Sequence, residues 1–144
     1  LSRLTLAQAQ VIIEHALAKA RVSEYSPLAV VVLDDAGNVK ASAREDNASM
    51  FRYDVGLGKA WGAVAMGCSS RALAKKAKDN PNFMITLAAT AQGKFLPQQG
   101  GVLIRATDGT ILGAVGISGA TGDQDEECAI HGIERAGLKA DATA

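Results

Sequence analysis

The chain has 144 residues with 15 basic and 15 acidic side chains, so its net charge is zero. That length fits one domain able to bury a core without staples, and the charge balance argues against sequence-independent nucleic-acid binding. Hydrophobic residues make up 48% of the chain but aromatics only 4%, which predicts a core of Ala, Val, Ile and Leu; no apolar run is long enough to cross a bilayer.

Thr5 reads as a helix N-cap, with Gln8 at the third helical position completing a capping box. Leu6, Ala9, Ile13, Ala16, Leu17 and Ala20 then recur at helical spacing, and the pattern ends near Val22. His15 falls on the border of that apolar stripe. The run from Leu28 to Leu33 is β-branched and apolar and predicts a strand buried on both faces. Asp34 to Asn38 reads as a hairpin turn, with Gly37 supplying the positive φ, and Val39 to Arg44 as the returning strand. Glu45-Asp46-Asn47 closes that strand with charge.

A helical pattern runs from Arg52 to Met66 and carries Gly56, Gly58 and Gly62. Each glycine costs a helix about 1 kcal/mol relative to alanine, so three predict close approach by a neighbouring backbone or a ligand. Lys59 is the only ionised side chain in the middle of this helix. Ser69 or Ser70 can cap a short helix through Lys78 whose outer face carries Arg71, Lys75, Lys76 and Lys78, and Asn80-Pro81 ends it. Residues 83–91 are weakly helical and 92–101 form a loop. Val102 to Ala106, the turn Thr107-Asp108-Gly109 and Thr110 to Ser118 predict a second hairpin. Asp123 to Glu127 sit where a final helix begins, since its free N–H groups favour negative charge. Its inner face would hold Cys128, Ala129, Ile133 and Ala136, and Lys139 onward reads as a frayed tail. Two hairpins among helices predict one mainly antiparallel sheet covered by helices, an α/β (α+β) domain over 1–144.

Cys68 and Cys128 form no CxxC pair and read as small buried hydrophobes in a reducing, cytoplasmic compartment, with carboxylates beside Cys128 raising its pKa. The chain opens on Leu1, which leaves room for a removed leader. Two histidines and no tight His/Cys/Asp spacing give no recognisable metal set.

Several stretches resemble one known family. They are Leu4-Thr5-Leu6-Ala7-Gln8-Ala9, Val31 to Asp34 with Ala36 to Val39, Arg44-Glu45-Asp46, Lys59-Ala60, Gln99-Gly100-Gly101-Val102, and Gly113 to Gly119 with Asp125 behind it. Together they resemble the GlcG/HbpS-like haem-binding family, which includes the C-terminal domain of PduO-type proteins and the OrfY-like proteins. The resemblance implies a single five-stranded, mainly antiparallel sheet flanked by helices, and assembly into a homo-oligomer. It also implies a small-molecule ligand near the sheet end and the glycine loops, haem in some members, and a role in small-molecule catabolism. Two departures stand out: Glu45 replaces the usual Met between Arg44 and Asp46, and Val102-Leu103-Ile104 lacks the usual proline.

Three functions follow. In a haem-binding module, His15 or His131 would be the axial group. In a cofactor-free isomerase, dehydratase or lyase, Lys59 would be a desolvated base or cation, and Asp125 or Glu126 would supply a carboxylate. Arg44 would grip a substrate carboxylate, and backbone N–H groups from Gly116 through Ser118 to Gly119 would face an oxyanion. In a non-catalytic accessory protein, Lys59 and Asp125 would be a buried pair fixing helix against helix. The first two share an expected pocket bordered by Arg44, Asp46, Lys59, Gly100, Gly101, Gly116 to Gly119 and Asp125.

Overall fold

The computed structural model describes residues 3–143. Five helices and five strands follow in the order α1 (Leu6–Val22), β1 (Ala29–Asp34), β2 (Val39–Arg44), α2 (Phe51–Met66), α3 (Ser70–Asp79), α4 (Pro81–Thr90), β3 (Gly101–Arg105), β4 (Ile111–Ser118), α5 (Gly122–Arg135) and β5 (Lys139–Asp141). The strands form one sheet in the order β2-β1-β4-β3-β5, with every neighbouring pair antiparallel. β1, though it forms a hairpin with β2, also pairs with β4, which lies some eighty residues further along the chain.

Alternation along the strands sorts the core into two layers. Val30, Val32, Val102, Ile104, Val115 and Ile117 face α1 and α5, and meet Ile12, Ala16, Ala129 and Ile133 there. Val31, Leu33, Leu103 and Ala114 face α2 through Ala60 and Ala63. Leu73, Met84 and Phe95 make a smaller cluster under α3 and α4. Among the described residues no helix is long and apolar enough to cross a membrane.

Local signals held where the cause is local. Thr5 caps α1 with the reciprocal Gln8 bond; Thr121 with Gln124 makes an unpredicted box of the same kind on α5. Gly37 has φ +80° in the first turn, and Ser69 rather than Ser70 caps α3. The expected tail is a correction. Lys139–Asp141 pairs with β3, where Arg105 Nε donates to Asp141 at 2.8 Å and Ser69 Oγ donates to the Thr143 carbonyl at 2.7 Å. α4 also begins at Pro81, two residues earlier than the pattern suggested, because proline is preformed for the first helical turn.

Candidate functional site

Strand register gathers the sequence-predicted residues at one end of the sheet. Ala29 pairs with Arg44 on one side and Ser118 on the other, and Gly101 pairs with Gly116. Gly100 extends this end, its carbonyl accepting from Ile117 N at 3.0 Å. Lys59, rising from α2, passes Gly100 and Gly101 to reach the layer of α5. Its Nζ donates to the Ile117 carbonyl at 2.8 Å and to Asp125 Oδ2 at 3.1 Å. Asp125 Oδ1 accepts from Ala120 N at 3.0 Å. A Cβ at Gly100 would lie 2.7 Å from the amine, and one at Gly101 would strike the Lys59 carbonyl, so both glycines make room for this lysine.

The pair is 5% and 2% exposed. Burial pushes the Lys59 amine down and the Asp125 carboxyl up, each opposed by attraction to the other; the Arg52 charge nearby draws both down. Neither group forms a wall of the cavities of about 500, 270, 210 and 200 Å³. What the arrangement does is hold α2 and α5, on opposite faces, together across the sheet end.

Glu126 is likewise buried and engaged. Arg71 grips it through Nε at 3.1 Å and Nη2 at 2.8 Å, while also reaching Asp123 at 3.5 Å. Arg71 was expected on the outer face of α3 with the lysines; its side chain is 41% exposed, and its fork on Glu126 also joins α3 to α5. Ser70, also missed, accepts from Gly101 N at 2.6 Å and pins the start of β3. Only the fold brings these partners together; they stand 55 and 31 positions apart.

The glycine run is filled from within. A Cβ at Gly116 would strike the Gly56 carbonyl and approach Ala60, and one at Gly119 would strike the Pro27 carbonyl. Gly116 and Ser118 are buried. The small residues of α2 and β4 therefore let helix backbone lie on strand backbone, and the expected exposed backbone is not there.

The expected single pocket is thus divided. Arg44 and Asp46 line an open cavity of about 500 Å³ with Arg21, Pro27, Glu45 and Asn47. Arg44 Nη1 donates to the Ala48 carbonyl at 2.6 Å. Arg21 pairs with Glu45 at 2.9 Å, and Glu45 accepts from Leu28 N at 2.8 Å. Lys59, Gly100, Gly101, Gly116, Gly119 and Asp125 are absent from its walls.

The two histidines meet elsewhere. His15 on α1 and His131 on α5 lie edge to face with ring centroids 6.3 Å apart, both half-buried. Partial burial holds the His131 imidazole below its ordinary range, helped by the Lys19, Arg135 and His15 charges around it. Beside His15, Ala7, Val11, Ala18 and Val22 lie on the outward face of α1, with exposed Glu14 between Val11 and Ala18 and Val22 84% exposed. Among the described residues no group of three or more His, Cys, Asp or Glu could hold a metal ion.

Solved structures with this fold include PduOC in complex with haem, at 24% identity and a TM-score of 0.86, covering 99% of this chain and 100% of that one. A double mutant of Streptomyces reticuli HbpS matches at 28% identity and 0.80, covering 93% and 87%. Klebsiella pneumoniae protein ORFY matches at 25% and 0.85, covering 95% and 93%. A search of curated proteins finds no match. A family profile described as "Haem degrading protein HbpS-like" matches residues 4–134. With nearly its whole length matched and the five-stranded sheet in place, the chain belongs to the HbpS-like family.

Proposed function

We infer that this chain is a haem-binding protein, in which His15 would supply an imidazole to the iron and the outer side of α1 would receive the porphyrin. The observation that carries this reading is the histidine pair, set beside a helix face on which Ala7, Ala18 and Val22 are exposed and Val11 is half-buried. Ala7, Val11, Ala18 and Val22 offer the porphyrin an apolar bed about 20 Å long at 1.5 Å per residue. Lys19 and Arg135, close enough to His131 to act on its ring, supply cations suited to propionate carboxylates. α1 packs directly on α5, so a porphyrin does not pass between the rings and one imidazole serves. His131 then holds the His15 ring edge-on. Bound haem supplies an iron centre whose reactivity its surroundings tune. Family membership and the haem complex described for PduOC support the same reading.

Haem titration followed in the Soret region tests it. The wild type should give a saturable red-shifted band, His15→Ala should lose the shift, and His131→Ala should keep the band with weaker affinity. An unshifted spectrum for the wild type overturns the reading; an intact one for His15→Ala overturns the assignment of the ligand.

Assembly into a homo-oligomer and service to a small-molecule catabolic route belong to the same reading. The first is supported by α4, which has no ionisable side chain and leaves Ile85 67% exposed beside an apolar cavity of about 270 Å³ lined by Ala77, Pro81, Met84, Ala88 and Pro97.

A further inference from the structure

A second concave surface lies on the opposite side of α4 from Ile85. Leu87, Thr90 and Ala91, one helical face and its end, meet Trp61, Ala65 and Met66 of α2 across a groove of about 210 Å³ floored by Phe95. Its one hydroxyl-bearing wall residue, Thr90, already donates to the Thr86 carbonyl at 2.9 Å. An adjoining cavity of about 200 Å³ shares Trp61 and Ala65 and carries Asp35 on its far wall. One cation lies near a wall residue without lining the groove itself: Lys94 Nζ sits 5.2 Å from the centroid of the Trp61 ring. Lys94 is exposed and has no salt bridge among the described residues.

We propose that the groove between α2 and α4 binds a small aromatic monocarboxylate, its ring against Trp61, Leu87 and Phe95 and its carboxylate on Lys94. An apolar slot with one polar anchor at its rim is the usual construction of a small-molecule site. The volume admits one ring and its side chain and excludes a porphyrin. An anion in the groove is drawn toward Lys94, while Asp35 lines the adjoining cavity and not the groove. The amine already over the indole face is held where a carboxylate would reach it, which lowers the ordering cost of the contact.

Trp61 is the only tryptophan in the chain, so its emission reports the groove directly. Phenylacetate is the probe and 2-phenylethanol, which keeps the ring and loses the charge, is the control. Phenylacetate should change Trp61 emission saturably and bind about threefold more tightly than the alcohol, the scale of an exposed ion pair. Lys94→Gln should abolish that preference, while Leu87→Phe, which fills the slot from an incompletely buried position without adding charge, should abolish both responses. Haem titration of Lys94→Gln should match the wild type, so failure here is distinguishable from failure of the haem reading. Equal affinity for the two probes, a preference that survives Lys94→Gln, or no saturable response at all, as when a second copy fills the groove, would overturn the proposal.

Discussion

Lys59 and Asp125 are two charges taken out of water, and their value lies in being paired. Removing one leaves the other buried alone, so Lys59→Met should cost about 3–5 kcal/mol in urea unfolding. Adding Asp125→Leu should recover most of that loss, because the second charge no longer needs a partner; a double variant as unstable as the single one would show that the carboxylate does more than answer the amine. The cysteines make a second prediction. Burial, with Glu127 and Asp125 adding repulsion, pushes the Cys128 thiol up to about 12. A thiol reagent should therefore modify half-buried Cys68 in the native protein and reach Cys128 only after unfolding. At this scale the sequence was partly legible. Lys59 stood out as a lone charge among small residues, and Asp125 as an acid at a helix start. That Gly100 and Gly101 exist to let the lysine past could not be read, since their neighbour in space is some forty positions away in the chain.

Among the elements, capped helices and the first hairpin were legible because their signals lie within a few residues of what they govern. β5 was not: three residues after a helix carry no period, and only the open edge of β3 makes them a strand. Its attachment depends on pH. Burial alone would raise the Asp141 carboxyl, but hydrogen bonds from Thr143 and Arg105 outweigh it and hold the group below its ordinary range. A carboxyl depressed in the folded state contributes stability above its unfolded pKa and loses it as pH falls through the folded value. Asp141→Ala should thus cost about 1 kcal/mol near neutrality, and the difference from wild type should shrink through the acid range below the ordinary carboxylate pKa. A constant difference across that range would mean that β5 is held by its backbone bonds alone. The glycines of α2 taught the converse lesson. Their spacing announced a close approach, correctly, but a ligand and a neighbouring strand leave the same mark in a sequence, and here β4 is the neighbour at Gly56.

For the whole molecule, zero net charge removes long-range repulsion between copies, so an uncharged apolar face is free to act. Light scattering should find a homo-oligomer, and Ile85→Asp should shift it toward the monomer with the fold intact by circular dichroism. An unchanged mass would place the interface elsewhere. The overall architecture was legible, since two hairpins and their flanking helices leave few arrangements open. The site was less so. Arg44 reaches the sheet end through register and Lys59 from α2, yet one lines an open cavity and the other is sealed against Ile117 and Asp125, a division that depends on side-chain packing and has no trace in spacing.

The place of β1 between β2 and β4 also bears on how the protein is made. Its partner on one side, β2, leaves the ribosome almost at once, but the other, β4, is translated only after three further helices. Until then a nascent chain carries a run of valines with an open hydrogen-bonding edge, which invites pairing with a second chain during synthesis. Release of a polypeptide stopped before Gly113 should therefore yield aggregate rather than a smaller folded domain.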